Sequence, residues 1–224
     1  MSEATLAWII TSNLRSDLVQ WQPARHFDCC KDSEAICRLW QQGFKTYFDR
    51  SVAMAAPVKT DPLRLRNRRS ALASFALASH ALADFYAHSN WVELWAAKED
   101  YARLAPLLKE ACSPSDFPEG LQSGYFGVQY GRKGCPEKDG RFQPPHGFGY
   151  CHEQLAKDYP DKGHGADRIK PDGPTHFEIA MSLAIQSTRE LWLYWQNQIK
   201  HSYDNQGNTQ AIINLLSWGK EDSR

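Results

Sequence analysis

The 224-residue chain has no net charge, since 26 lysines and arginines balance 26 aspartates and glutamates. A neutral balance removes bulk electrostatics as a reason to expect a nucleic-acid partner. An apolar stretch, residues 71–87, carries His80 and Asp84, which argues against a membrane-spanning helix. The start of the chain has neither the basic nor the apolar region of a secretory signal. We therefore expect a cytoplasmic protein, or one that is exported by a leaderless route and acts on membranes outside the cell.

Several enzyme signatures are also missing. The chain has no G-x-S-x-G elbow, no G-x-x-x-x-G-K-[ST] phosphate loop, no Rossmann glycine fingerprint and no H-E-x-x-H motif. Its six cysteines form no C-x-x-C pair, which argues against a thiolate zinc site. Cys29 and Cys30 are adjacent and poorly placed to pair with each other. Cys112, Cys135 and Cys151 lie in a loop-rich part where a disulfide could join segments, so the redox compartment stays open.

Helical periodicity dominates both ends of the chain. Apolar residues recur at helical spacing in stretches that predict helices over about residues 3–20, 32–52, 63–89 and 175–201. The third is expected to continue, bent or restarted, to residue 108. Thr175 and Glu178 predict a capping box at the start of the fourth, directly after Pro174. A short final helix is expected at about residues 211–218.

The composition changes sharply between residues 112 and 175. This block holds 11 of the 14 glycines and 8 of the 12 prolines, which predicts turns and extended loops. Its many aromatic residues favour a packed segment over a disordered one. We therefore predict an all-α fold: one domain over residues 1–224, with an irregular Gly/Pro-rich insertion at about residues 112–174.

A row of polar residues interrupts the apolar central helix. His80, Asp84 and His88 are spaced four residues apart, so they lie within about 80° of one another along about 12 Å of one helix face. Their neighbours are mostly apolar, so we expect the row to point into the interior, where unpartnered polar groups are costly. Divalent cations are the simplest partners for such a row. The central carboxylate could bridge two ions, as in hydrolases with paired metals.

Other segments must supply further ligands, because catalytic zinc needs at least three protein donors. Asp17 precedes the break at Pro23, and His26 and Asp28 follow it. The insertion offers His152 and Asp158. The sequence leaves open whether three further histidines are ligands: His146, His164 and His176.

Residues 81–94 have the sequence ALADFYAHSNWVEL, which resembles the central motif of the Het-C family. This family is named after a fungal heterokaryon-incompatibility protein and includes bacterial members resembling zinc-dependent phospholipases C. The resemblance extends to Asn13, Asp17 and residues 26–28, and to a later patch, H-x-x-L-x-K-D at residues 152–158, which His176 follows. It implies a mostly helical fold like that of zinc phospholipases C and single-strand nucleases, which use clustered zinc ions to hydrolyse phosphodiesters.

The resemblance also implies a ligand set for two or three zinc ions: Asp17, His26, His80, Asp84, His88, His152 and Asp158. Asp17 or Asp28 would be the catalytic carboxylate that orients the attacking water or accepts its proton. Enzymes of this kind use a processed amino terminus as a ligand, whereas this chain begins Met1-Ser2-Glu3. A site with two ions, or a third ion held by other groups such as His176, is therefore expected.

The sequence thus predicts a zinc-dependent phospholipase C that hydrolyses phosphatidylcholine-like phospholipids and contacts the membrane peripherally. Tyr86, Trp91 and Tyr125, together with Trp95, are expected to bind a choline head group by cation–π contact. Two alternatives remain open. One is a single-strand nuclease or other phosphodiesterase with the same metals, which the neutral charge disfavours. The other is a helical interaction protein or toxin whose metals are structural.

Overall fold

The fold is mostly helical, as the sequence predicts. The computed structural model describes residues 1–19, 22–58, 61–65, 67–202, 212–213 and 215–217. Within these residues, the extended structure consists of two short antiparallel hairpins and isolated bridges. The all-α prediction is therefore confirmed except for these two hairpins.

In chain order, the helices of the described residues are α1 (Glu3–Leu14), α2 (Pro23–His26), α3 (Ser33–Trp40), α4 (Thr46–Met54), α5 (Arg68–His88), α6 (Trp91–Ala96), α7 (His152–Leu155), α8 (Gly163–Ala166) and α9 (His176–Ser202). A π-helical turn, Gln41–Lys45, joins α3 to α4, and 3-10 turns span Arg15–Val19, Pro114–Asp116 and Val128–Lys133. The hairpins pair β1 (Pro57–Val58) with β2 (Asp61–Leu65), and β3 (Glu137–Lys138) with β4 (Arg141–Phe142).

The central helix α5 begins later than predicted. Residues 61–65 form strand β2 instead of a first helical turn, and Pro62 within them has no N–H for a helical hydrogen bond. Asn67 then caps α5, since its side-chain oxygen accepts a hydrogen bond from Ser70 N at 2.9 Å. After α5, the chain turns at the extended residue Ser89 and restarts as α6, which ends at Ala96 rather than near residue 108.

The other predicted helices agree with the structure. α1 ends at Leu14 and continues as a 3-10 turn, while residue 20 lies outside the described residues. Asp32 caps α3 by accepting from Ala35 N. The capping box of α9 is confirmed, because Glu178 N donates to Thr175 Oγ1 and Thr175 N donates to Glu178 Oε2. Of the predicted helix at residues 211–218, residues 212–213 and 215–216 are helical, and residues 211, 214 and 218 lie outside the described residues.

Helix α5 lies at the centre of the molecule, where α1, α2, α4 and α9 pack against it. Its alanines at positions 71, 76, 78 and 81 are fully buried, and their small side chains let the neighbouring helices approach closely. Large aromatic residues fill the rest of the core, among them Trp40, Phe85 and Trp195. The polar row of α5 is therefore held on a rigid, well-packed support.

Two disulfides hold the Gly/Pro-rich segment. Cys37 of α3 pairs with Cys112, and Cys135 pairs with Cys151. The thiols of Cys29 and Cys30 are free. Disulfides persist mainly in oxidising compartments, so they point towards an extracellular or otherwise oxidising location. Among the described residues, no helix combines the length and hydropathy needed to cross a bilayer.

Candidate metal centre

The polar row of α5 forms one wall of a cavity of about 820 Å³. His80 and His88 are buried, and only 14 % of the Asp84 side chain is exposed. The opposite walls come from the end of α1, the turn after α2, and the residues around α7. The lining is mainly acidic and imidazole groups: Asp17, His26, Asp28, Asp84, His88, His152, Glu153 and Asp158.

Four polar side chains converge on the middle of α5, and we call this group site A: Asp17, His26, His80 and Asp84. His26 Nδ1 lies 2.8 Å from Asp84 Oδ2, and His80 Nε2 lies 3.0 Å from the same oxygen. His80 Nε2 is also 3.2 Å from His26 Nδ1 and 3.3 Å from Asp17 Oδ1. The Nε2 atom of His26 is buried with no hydrogen-bond partner among the described residues.

A second group gathers at the end of α5, and we call it site B: Asp28, His88, His152 and Asp158. His88 Nε2 lies 3.2 Å from Asp158 Oδ1, and His152 Nδ1 lies 2.9 Å from Asp28 Oδ1. The His88 and His152 rings are in edge contact, with centroids 4.4 Å apart. The structure thus brings all seven predicted ligands, and Asp28, together in two neighbouring groups; all of them except His80 line one cavity, and His80 contacts the lining residues Asp84 and His26.

The two histidines of α5 each have one ring nitrogen fixed by an oxygen that can only accept. Asn13 Oδ1 lies 3.4 Å from His80 Nδ1, and the backbone oxygen of His26 lies 3.0 Å from His88 Nδ1. Both Nδ1 atoms therefore carry hydrogen, and in the neutral ring the Nε2 lone pair faces carboxylates. Two acceptors can face each other only when a proton or a metal cation lies between them. Metal-binding histidines typically donate their other N–H in this way.

The spacing of the donor atoms also fits zinc. Two atoms that are each about 2.0–2.1 Å from a tetrahedral zinc ion lie about 3.3–3.4 Å apart. In site A the separations between His80 Nε2 and its neighbours are 3.0, 3.2 and 3.3 Å. Imidazole nitrogens and carboxylate oxygens are donors that zinc accepts readily. Both sites therefore have the donor set of a divalent metal centre.

The charged groups of the two sites shift one another's pKa values. Burial favours neutral Asp84, but His88, His26 and His80 outweigh it and lower the pKa of this carboxyl. Burial likewise opposes protonation of His88, yet Asp158, Asp28 and Asp84 raise its pKa well above the usual value. The pKa of His80 is also raised, because Asp84 and Asp17 outweigh its desolvation. The neighbouring carboxylates thus favour the protonated form of both imidazoles.

A tight turn after α2 divides its ligands between the two sites. Phe27 has φ 51°, in the left-handed region, and its buried ring packs edge-on against Phe85 of α5. His26 before this turn faces Asp84, while Asp28 after it faces His152. In the sequence alone, a single histidine such as His26 is only weak evidence for a metal ligand. The turn after α2 is what brings His26 next to Asp84.

Backbone hydrogen bonds place the ligands of the insertion. His152 N donates to Tyr125 O, Gly124 N donates to His88 O, and Lys157 N donates to Ala87 O. A Cβ atom on Gly124 would collide with the backbone of His152, so only glycine permits this close approach. These bonds join residues 124 and 157 to the end of α5 and fix His152 and Asp158 beside His88.

Two predicted head-group contacts do not lie in the cavity. Tyr86 is fully buried in the core, where its hydroxyl bonds to Ser187 Oγ and accepts from Ala105 N. Trp91 is 1 % exposed and donates its Nε1–H to Arg103 O. Both rings are buried in the core and neither lines the cavity, so their predicted contact with a head group stays a prediction that this cavity does not support.

The other two aromatic residues predicted to contact a head group do not line the cavity either. Trp95 borders a different hollow, and Tyr125 packs against Phe148 without lining the cavity. The aromatic residues that do line the cavity are Phe126 and Tyr159, and the ammonium group of Lys162 lies 3.7 Å from the Tyr159 ring centre. Sequence reasoning missed both, because loop residues show no periodicity that would mark them.

A third group of potential ligands lies outside the cavity lining: Glu93, His164 and His176. Its ligand atoms all lie within 4.8 Å of one another. Glu93 falls inside the Het-C-like stretch of the sequence, which is the signal that could have identified it. His146 is exposed and belongs to none of the three groups.

Comparison with known proteins gives no match: no family model, no curated protein and no solved structure is similar to this chain. The resemblance to the Het-C family therefore rests on the quoted residues and stays a prediction. The structure itself shows a mostly helical protein. Within its described residues, three clusters of histidine and carboxylate side chains could hold metals.

Proposed function

We propose that the protein is a zinc-dependent hydrolase of phospholipid phosphodiesters, of the phospholipase C type. One observation carries the proposal: sites A and B lie side by side along α5, all their residues except His80 line one cavity, and His80 and His88 aim Nε2 at carboxylates. Two neighbouring metal sites are a common arrangement for hydrolysing phosphate esters. The Het-C-like residues are consistent with this chemistry.

The acidic lining explains why metals would be needed for such a substrate. Asp17, Asp28, Asp84 and Asp158 face the cavity, and without cations they would repel a phosphodiester. Zinc held by sites A and B would polarise the phosphoryl oxygens and lower the pKa of bound water. His80 and His88 would hold the ions, each with its ring orientation fixed through Nδ1.

Asp17 is the better placed of the two candidate catalytic carboxylates. Its side chain is 53 % exposed, so it can contact water and substrate. Burial raises the pKa of Asp17, which makes this carboxylate a stronger base. Asp28 is almost fully buried and lies 2.9 Å from His152 Nδ1, so we assign it to orienting that histidine.

A lipid surface is favoured by an exposed apolar row that leads to the cavity. Leu6, Ile10, Leu14 and Leu18 follow one another at intervals of four, and Leu18 is 74 % exposed. Leu18 directly follows the cavity residue Asp17. A row of large apolar side chains beside a site is typical of contact with a membrane. At the cavity rim, Lys162 offers a cation for a lipid phosphate.

The test compares one head-group reaction in two physical forms of substrate. Zinc-loaded protein should release phosphocholine from phosphatidylcholine vesicles and from a soluble short-chain phosphatidylcholine, and a chelator should stop both reactions. Leu14→Ser with Leu18→Ser should lower vesicle hydrolysis by about tenfold or more, because burial of one leucine contributes about 1.5–3 kcal/mol and tenfold is 1.4 kcal/mol. Hydrolysis of the soluble substrate should not change.

The matched control replaces two exposed apolar residues of α9 that line neither the cavity nor the groove to which Leu6 belongs, Met181→Ser with Ile185→Ser. This variant should retain both activities. Cleavage of single-stranded DNA without phosphocholine release would contradict the lipid proposal and favour the nuclease alternative. Metal binding without any hydrolysis would favour a structural role for the ions.

A further inference from the structure

The third group of ligands joins three elements behind the cavity wall, and we call it site C: Glu93, His164 and His176. Glu93 lies in the first turn of α6, His164 in α8, and His176 at the start of α9. The His164 and His176 rings lie 4.3 Å apart. None of the three lines the cavity that contains sites A and B.

Asp167 orients both histidines of site C. Its backbone oxygen lies 2.9 Å from His176 Nδ1, so this nitrogen carries hydrogen and Nε2 keeps a lone pair in the neutral ring. Its carboxylate lies 3.3 Å from His164 Nδ1, and His164 Nε2 lies 2.7 Å from Glu93 Oε1. His164 thus stands between two carboxylates, and His176 repeats the arrangement of His80 and His88. Histidines oriented in this way by oxygen acceptors are typical of metal sites.

Glu93 has an oxygen that the protein leaves without a partner. Oε2 is buried and accepts no hydrogen bond from the described residues, while Oε1 accepts from both Lys157 and His164. Lys157 cannot serve Oε2 as well, because its three hydrogens already go to Ser89 O, Leu155 O and Glu93 Oε1. A buried carboxylate oxygen without a partner is costly, and a cation beside it would remove that cost.

The segment that carries His164 has little apolar packing to hold it. Between residues 156 and 175, the buried residues are Lys157 and Gly165, neither of which has a large apolar side chain, and Ile169 packs against the core while only partly buried. Tyr159 and Lys162 of this segment nevertheless form part of the cavity wall. A metal bond is one of the few interactions that can order such a segment without a hydrophobic core.

We propose that site C binds a zinc ion separate from those of the cavity, and that this ion is structural. Two imidazoles and a carboxylate form a donor set that suits zinc. The ion would join α6, α8 and the start of α9, and so hold residues 156–175 against the helices. Buried Lys157 separates it from Asp158 of site B, since its ammonium group bonds to Glu93.

The test counts zinc and probes the segment with trypsin. His164→Ala with His176→Ala should bind one fewer zinc ion per chain than the unaltered protein, measured by native mass spectrometry. Cleavage after Lys162 or Arg168 should become faster, and added zinc should no longer slow it. The matched control is His146→Ala with His201→Ala, two exposed histidines outside the three groups, which should keep the full zinc count and zinc-dependent protection.

An unchanged zinc count in the site C variant would overturn the proposal, as would protection by zinc equal to that of the control. If the double variant does not fold by circular dichroism, Glu93→Gln provides the same test, because Gln can still accept from Lys157. The proposal is also separable from sites A and B. Asp84→Asn should remove zinc from site A and leave the zinc-dependent protection of residues 156–175 intact.

Discussion

Sites A and B draw their ligands from two kinds of structure. His80, Asp84 and His88 stand on one helix whose periodicity and packing fix their spacing. His152 and Asp158 come from an irregular segment that hydrogen bonds, a glycine contact and disulfides hold beside that helix. A helix positions side chains through its own geometry, whereas an irregular segment depends on interactions with distant residues. Changes to the helix should therefore abolish metal binding, and changes to the segment should weaken it.

The largest effect is expected for Asp84→Asn. Asp84 contacts both His26 and His80, and its charge also acts on His88. We expect loss of at least one zinc ion and a fall in phosphocholine release beyond the about 10–100-fold typical of partners outside the ligand set. His152→Gln alters one proposed ligand from the irregular segment. It should cause a smaller loss of zinc and a smaller fall in phosphocholine release than Asp84→Asn. Metal analysis and initial rates check this order.

The control for these two variants is Asp49→Asn. Asp49 is an exposed carboxylate of α4 that pairs with Lys45. This variant should change neither zinc content nor rate. If His152→Gln lost more zinc than Asp84→Asn, the helix would not be the dominant support of the site.

An intermediate effect is expected for the disulfides. Cys37–Cys112 spans 75 residues and Cys135–Cys151 spans 16, so removing them should cost about 4 and about 3 kcal/mol of unfolding free energy. Cys151 directly precedes His152, so only the second loss should also weaken zinc binding. Paired Cys→Ala variants, followed by urea unfolding and zinc titration, measure both quantities. Weaker zinc binding in the Cys37/Cys112 variant alone would reverse the expected assignment.

The smallest effect is expected from pH in the metal-free protein. Neighbouring carboxylates raise the pKa of His80 and His88 on the helix. A raised pKa stabilises the fold fully below the unfolded value of about 6.5, and this stabilisation is lost as pH rises through the folded pKa. Metal-free protein should therefore melt at a lower temperature at pH 8 than at pH 6. Zinc-loaded protein should show the opposite trend, because deprotonated imidazoles bind zinc more tightly.

Calorimetry at several pH values measures how the melting temperature changes with pH in the metal-free protein and in the zinc-loaded protein. Parallel slopes with and without zinc would show that His80 and His88 are not the groups that exchange protons for metal. The same comparison in the His152→Gln variant should still give opposite slopes, since the two helix histidines remain.

The features that the sequence predicted correctly are those fixed by the local geometry of a helix. The spacing of His80, Asp84 and His88 defines their common face without knowledge of any other segment. The capping box of α9 is equally local. By contrast, Tyr86 and Trp91 flank the row in sequence, but packing turns their rings into the core. Periodicity shows which residues share a face and does not show which neighbouring side chains reach a cavity.

The non-local parts of the site could not be predicted from the residues in isolation. The disulfide partners, the pairing of Asp28 with His152 and the grouping of Glu93 with His164 join residues that are far apart in the chain. Each of them depends on the path of the irregular segment, which has no repeating pattern. The resemblance to the Het-C family, which stays a prediction, had already named ligands from those segments, and the structure places these residues beside the central helix.

The turn at Phe27 also bears on how far apart sites A and B lie. His26 and Asp28 belong to different sites, and a single residue of backbone separates them. The backbone conformation at Phe27, whose ring packs against Phe85, therefore helps to set the separation of the two sites. If the sites hold ions as we propose, Phe27→Leu is expected to alter the spacing of those ions without touching any proposed ligand.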